Sequence, residues 1–437
     1  MAQSRTISVY EHNWLTVGQH YGEAQFEGRH LELLSQYLTL NPGCGFYKLY
    51  HKRVKFSNYV GVIKVGDLSI EVLPKSDNHS EDEDTWRKVL LQMLSVSLQV
   101  NAKTTTQSNI ELRRHTVLET YIWHFLRETE SVFRKGLVKQ YRTDEGNQLA
   151  LRGKLQIHKQ ITHNLIHSER FYVVHQVYDR NNVYNAIIEQ TLRCILSLEV
   201  SPDIIGICKE LLLFFPECKP INVSEKLFQR LSYGRKTERY KNAIELARVI
   251  LLNYHPDLKG GKNNILAIMF DMNQLWENYI YYILKRSARH FGKDVIVEAQ
   301  RRRSFWRHPD NYDLRLKPDL VLQFPDSSKI IVVDTKWKYK SDTSIEDVRQ
   351  MYAYGHYFGA DEVFLLYPGR LNGNASTDIK RGVFYSPGSG KDFSNDYCGL
   401  IITDILRNGC LNLGLGMEIL SALETQINTT ATNQQQG

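Results

Sequence analysis

The sequence predicts a multidomain α+β protein. A β-rich N-terminal domain spans 1–98, a mainly helical middle domain 99–265, and a C-terminal α/β domain with a central mixed sheet 266–424; a disordered tail follows at 425–437. Three observations predict this. Two apolar runs flank Gly66-Asp67 as in a tight β-hairpin. Apolar residues between 110 and 255 recur at spacings of three and four. From 266 onward the pattern becomes α-β-β-β-α-β, which calls for a mixed sheet flanked by helices.

In chain order, residues 5–75 alternate short apolar runs with turn residues such as Asn41-Pro42-Gly43. The hairpin strands are Tyr59 to Val65 and Leu68 to Leu73, ending at Pro74-Lys75. An acidic loop, Asp77 to Asp84, precedes a helix from Trp86 to Leu98. In the middle region, Val117-Leu118, Tyr121-Ile122 and Phe125-Leu126 fall on one helical face. Residues of 187–196 and 243–252 do the same, and a basic, β-like stretch lies near Leu151 to Leu155. Next come a helix from Met272 to His290 and strands at Val295 to Val297, Leu314 to Phe324 and Ile330 to Trp337. A helix from Ile345 to Phe358 and strands at Val363 to Leu366 and Gly382 to Tyr385 complete the order. Thr425 to Gly437 is polar and Gln-rich, the composition of a disordered tail.

The 437 residues are 42% hydrophobic, enough for real cores, and the formal charge of +7 permits nucleic-acid contact. The six cysteines show no CxxC pairing and no zinc spacing, so unpaired thiols in a reducing cytoplasm are expected. No apolar run reaches the roughly 18–20 residues of a membrane span, and no signal-like segment follows the start, so no membrane association and a cytoplasmic location are expected.

The chemistry concentrates in 317–340, KPDLVLQFPDSSKIIVVDTKWKYK. Asp319 and Asp334 sit at the ends of two β-like runs, and Lys336, two residues beyond Asp334, projects from the same face. Hard carboxylate oxygens suit Mg²⁺, with Mn²⁺ as the alternative, and the Thr335 carbonyl adds a ligand. Such an ion activates water beside a phosphodiester, while the lysine orients that water and steadies developing charge. The plain alternative is two aspartates capping strand ends. Glu277, on the preceding helix, would lean over the sheet and join the metal site. Gln350 and Tyr354, four apart on the next helix, share a face that would pack over the site and touch the DNA backbone. Arg301, Arg302, Arg303 and Arg307, interleaved with Phe305 and Trp306, form a loop suited to phosphates and bases, which Lys338 and Lys340 extend. Pro387 to Asp392 and Gly260 to Asn263 fail the spacing of a phosphate loop, so no nucleotide is expected on this chain.

Pro318-Asp319 followed by Asp334-Thr335-Lys336 resembles the PD-(D/E)XK nuclease core, and Gln350 with Tyr354 resembles the signature of its RecB-like branch. Four passages in order resemble the McrC family, the nuclease subunits of McrBC modification-dependent restriction systems. They are Tyr59 to Lys75, Leu151-Arg152-Gly153-Lys154-Leu155, Tyr178 to Ile188, and Met272 to Ile280 leading into the aspartates. The resemblance implies a C-terminal PD-(D/E)XK endonuclease domain with Asp319, Asp334, Lys336 and Glu277 as its catalytic set. It also implies an N-terminal region that docks on a ring of McrB-like AAA+ GTPases and stimulates them. The substrate would be double-stranded DNA carrying modified cytosine, and dimerisation of whole complexes remains open. Two other readings stay open as well: a regulatory docking subunit with an inactive nuclease, and a self-sufficient restriction nuclease.

Overall fold

The computed structural model describes residues 5–75, 83–97, 116–198, 200–255, 264–338, 343–369, 377–386, 393–407 and 409–434. Most of the acidic loop after Lys75, Lys340 and both rejected phosphate-loop segments fall outside these residues.

The hairpin forms as expected. Strands Tyr59–Val65 and Leu68–Leu73 are neighbours, and Gly66 takes the left-handed φ of +61° that the tight turn requires. They lie in a five-stranded sheet whose order continues outward to Arg5–Tyr10 on one side and to Ile265–Asp271 and Tyr254–His255 on the other. The N-terminal region also holds a three-stranded sheet of Trp14–Thr16, Arg53–Phe56 and Tyr47–Tyr50. It further contains a helix, Gly28–Leu40, that the reading of 5–75 as strands and turns did not anticipate; Leu34 and Tyr37 bury its inner face.

The chain forms two compact units. One gathers Met1–Thr6, Ile63–Ser69 and His115–Ile268; the other gathers Ile7–Val62, Ile70–Arg114 and Met269–Gly437. Most of the N-terminal region therefore shares a unit with the C-terminal region, rather than standing apart at 1–98. In the first unit, helices Val117–Arg134, Val183–Leu196, Pro202–Phe214 and Lys241–Leu252 pack together. The first two are N-capped by Thr116 and Asn182, whose side chains accept from the backbone N–H of Glu119 and Asn185. Beside the helices lies an antiparallel sheet of Gln140–Gln148, Phe171–Asp179 and Lys154–Leu155, so this region is more mixed than a mainly helical domain.

In the second unit a six-stranded mixed sheet carries the candidate chemistry. Its order is Ile296–Ala299, Leu320–Phe324, Lys329–Thr335, Glu362–Pro368, Phe393–Thr403 and Thr377–Tyr385. Lys329–Thr335 and Glu362–Pro368 run parallel, joined by helix Ile345–Phe358, which forms where the spacing places it. Met351, Tyr354 and Phe358 of that helix pack on Val321, Val332, Val363, Leu365 and Tyr367 of the sheet. Strand Glu362–Pro368 is buried along its whole length, as a parallel strand covered on both faces must be.

Three expectations change here. Leu314 to Phe324 is not one strand. Asp313–Leu316 pairs with Arg303–Arg307 in a separate two-stranded sheet, and the main-sheet strand begins only at Leu320. Pro318, which has no N–H for a ladder, sits at the break. The basic Arg-rich segment is accordingly a hairpin strand rather than a loop. The C-terminal segment is also not an irregular tail as far as it is described: helix Leu415–Gln434 runs through most of it. Leu415, Ile419, Leu420, Leu423 and Ile427 are buried at helical spacing, and this apolar face outweighs the polar composition beyond Thr425.

Candidate active site

Strands Leu320–Phe324 and Lys329–Thr335 are antiparallel, with Leu320 opposite Val333. One step further along that register sets Asp319 across from Asp334, so a gap of 15 residues in sequence becomes a cross-strand pair. Asp334 and Lys336 share the parity of Val332, which faces helix Ile345–Phe358. The Lys336 ammonium accordingly lies 2.7 Å from Asp334 Oδ2, 3.4 Å from Asp347 Oδ1, and donates to Gln350 Oε1 at 3.3 Å.

Each group has a holder. Thr335 donates both its backbone N–H (2.7 Å) and its hydroxyl (2.9 Å) to Asp319 Oδ2. Gln350 Nε2 donates to the Tyr354 hydroxyl at 2.6 Å, which in turn donates to the Lys317 carbonyl at 3.0 Å. Tyr354 is only 3% exposed, so it supports Gln350 from beneath rather than presenting a surface for DNA. Lys338 pairs with Asp347 at 2.5 Å.

The electrostatics follow from two carboxylates in a buried place. Burial, and then the charge of Asp319, push Asp334 up to about 6 despite Lys336 beside it. Burial also raises Asp319, against the opposing pull of the Thr335 hydrogen bonds and Lys336. For Lys336 burial works against the charge, but Asp334 and Asp347 outweigh it and hold the ammonium above its ordinary value. Burial likewise works against ionised Asp347, yet Lys338, the Ser344 hydrogen bonds and Lys336 prevail and bring it down to about 2.

Glu277 stands on helix Met272–Ala288, N-capped by Asp271. Its carboxyl is raised by burial and by the charge of Asp319, and Gln300 Nε2 donates to it at 2.6 Å. Among the described residues no three His, Cys, Asp or Glu side chains gather into a metal-holding group; Glu277 stands near enough for the charge of Asp319 to act on its carboxyl.

Of the basic hairpin, Arg303 is engaged by the Tyr357 carbonyl and stands over the Phe358 ring, Arg301 pairs with Glu298 at 3.2 Å, and Arg307 with Asp313 at 3.6 Å. Arg302 is exposed, as is Trp306, whose ring meets His308 edge-on.

Two site residues escaped the sequence reading. Gln300 bridges Glu277 to the strand of Asp319, whose carbonyl its backbone N–H reaches at 2.9 Å, and it does so from a left-handed φ of +51°. No local signal marks it. Asp347 did carry one: with Ser344 it forms a capping box at the start of the site helix.

A second buried acid lies behind the site strand. Glu11, 4% exposed, accepts from the Trp337 indole at 2.7 Å and the Lys75 N–H at 3.0 Å, while its other oxygen has no hydrogen-bond partner among the described residues. Burial pushes it from 4.5 to about 7, against those two bonds. Folding stability is then fully present below the unfolded value. It falls as pH rises toward 7, by on the order of 3 kcal/mol, because the unfolded carboxyl loses its proton first. Glu11→Gln should flatten that fall: denaturation midpoints compared at about pH 5 and about pH 8 should converge. Parallel midpoints in variant and parent would show that Glu11 is not buried as a neutral acid.

The model of the McrBC 5-methylcytosine restriction system component family matches residues 54–368, more than half of the chain. The chain belongs to this family. Its fold is similar to that of a chain in a half-complex of a tetradecameric assembly of Thermococcus gammatolerans McrB AAA+ hexamers with bound McrC. The identity is 18% and the TM-score 0.64, covering 96% of this chain and 100% of that one. A chain of the cryo-EM structure of the T. gammatolerans McrBC complex also matches at 22% identity and a TM-score of 0.46, covering 64% of this chain and 87% of that one. No curated protein matches. By family the chain is a McrBC restriction-system component, and it shares its fold with the first of these chains along nearly its whole length. Its six cysteines are free thiols, and no helix among the described residues is long and apolar enough to cross a membrane.

Proposed function

We propose that this McrC-like chain is the metal-dependent DNA endonuclease of a GTP-dependent restriction complex that acts on double-stranded DNA carrying modified cytosine. The observation that carries this reading is the cross-strand pair Asp319 and Asp334 with the Lys336 ammonium 2.7 Å from Asp334, on strands arranged as a PD-(D/E)XK core would arrange them. The donor set fits Mg²⁺, or Mn²⁺ in its place. Both carboxyls are held up by burial, and Asp334 also by Asp319, so full ionisation is favoured once a cation shares the site. Asp319 and Asp334 would hold the ion, with the Thr335 carbonyl adding a ligand; two carboxylates suffice, because Mg²⁺ keeps several waters. When bound, the ion supplies charge for the phosphate and acidifies its water. Lys336 orients the attacking water and steadies charge on the phosphodiester oxygens. Thr335 fixes Asp319, and Gln350 on Tyr354 fixes the ammonium. Glu277, held by Gln300, adds a negative field at the edge of the site. The exposed hairpin of Arg302, Arg303, Trp306 and Arg307 would lie along DNA, with Lys338 continuing the track.

The partner is an McrB-like AAA+ GTPase ring, in line with the bound McrC named for the structure of similar fold. The test is cleavage of methylated and unmethylated plasmid with Mg²⁺, with and without that GTPase and GTP. The expected result is cutting of methylated plasmid only when partner and GTP are both present. Cutting by the chain alone would establish a self-sufficient nuclease. Absence of cutting with the partner GTPase still stimulated would establish a regulatory subunit.

A further inference from the structure

The three-stranded sheet Trp14–Thr16, Arg53–Phe56, Tyr47–Tyr50 supplies none of the candidate active-site residues, and its two faces differ sharply. Its register aligns Trp14, Lys55 and Lys48 in one row, Leu15, Val54 and Leu49 in the next, and Thr16, Arg53 and Tyr50 in the third. Cross-strand partners share a face and neighbouring rows alternate. The middle row therefore points one way: Leu15 and Val54 are fully buried, and Tyr47 and Phe56 close the same core, with the Tyr47 hydroxyl donating to the Leu34 carbonyl at 2.8 Å. The outer rows point the other way and set two aromatics among three cations.

Trp14 is 40% exposed and Tyr50 is 49% exposed, with ring centroids 4.8 Å apart. The Lys55 ammonium stands over the Trp14 ring at 5.4 Å. Lys48 and Arg53 are exposed, and His51 and Lys52 extend the positive edge from the connecting turn. None of the three strands contains an Asp or Glu. Among the described residues none of Lys48, Lys52, Arg53 and Lys55 forms an ion pair. A solvated charged face normally interleaves both signs, and a core aromatic is normally covered; this face shows neither habit.

We propose that this face binds an unpaired DNA strand. Exposed aromatic rings on a sheet face, here tilted 56° to one another, offer surfaces on which bases stack, and duplex bases offer no free face; the flanking cations take phosphates. DNA rather than RNA is the strand committed to, because the chain belongs to a family of restriction components. The proposal goes beyond the cleavage reading and does not depend on it.

The test uses the full-length chain carrying Asp334→Ala, with fluorescein-labelled oligothymidylate followed by anisotropy, beside a duplex of equal length. Trp14→Ala and Tyr50→Ala should each weaken single-strand binding by about tenfold. They should leave duplex binding unchanged, and Trp14→Phe should restore most of the loss. Lys48→Gln with Arg53→Gln should reduce the salt slope by about 1.4, at about 0.7 for each phosphate no longer neutralised. All of these side chains point away from the core, so an unchanged melting temperature checks the fold. Unchanged single-strand binding in the aromatic variants would overturn the proposal, even if the charge variants bind less. Tighter binding of oligouridylate would overturn the assignment to DNA. Loss of association with the GTPase partner, with DNA binding intact, would make the face a protein interface and overturn it too.

Discussion

Asp334→Ala abolishes plasmid cleavage, by about a thousandfold or more, and leaves stimulation of the partner GTPase at its parental level. The expectation rests on an asymmetry in the site. Asp334 is 2% exposed and faces Asp319 across the hairpin, so removing it relieves a buried repulsion. The ammonium it leaves behind still has Asp347 at 3.4 Å. The variant should therefore melt no lower than the parent in the absence of metal. Lys336→Ala should also abolish cleavage, yet it strips the pair of its cation and leaves buried carboxyls uncompensated, so it should lower the melting temperature as well. Cleavage assays and thermal melts on the two variants check both halves. Retained cleavage in Asp334→Ala would remove the proposed site. Joint loss of cleavage and GTPase stimulation in a variant that melts normally would mean that the two activities are not divided within the chain.

Gly153→Ala disrupts the sheet of Gln140–Gln148 and Phe171–Asp179 and lowers stability by about 3 kcal/mol or more. Gly153 has φ +84°, where a side chain is strained. A Cβ there would also clash with the backbone carbonyl of Val174 and meet the Cα of His175 at 2.9 Å. Both obstacles are backbone atoms, so no rotamer change clears them. The next residues, Lys154 and Leu155, pair with Val174 and Val173, and that register cannot persist with an extra methyl beside it. Limited proteolysis should open 140–179 in the variant while the parent resists. A variant as protease-resistant and heat-stable as the parent would show that the turn relaxes without cost. The candidate catalytic residues lie in the other compact unit.

How much of this was legible beforehand depended on the range of the interaction. Helix Ile345–Phe358 and the hairpin closed by Gly66-Asp67 could be read because their causes are local: a capping residue, a periodic apolar face, a turn residue free to take positive φ. Asp319, Asp334 and Lys336 were likewise nameable, since a period of two fixes which residues of a strand share a face. The segment from Thr425 was read as a tail because its composition outvoted a helix that continues into it from Leu415, whose buried face only its neighbours in the fold create.

The sequence by itself carried the family, the helix Ile345–Phe358 and which residues around strand Lys329–Thr335 share a face, because each is written in residue type and spacing. Only the tertiary structure decided that Gln300 would hold Glu277, that Asp347 would share Lys336, and that Glu11 would sit beneath Trp337, 326 residues away. It also decided that Trp14 and Tyr50 would meet on one outward face. These contacts join segments far apart in the chain, and their energies come from burial and charge that exist only once the strands have paired.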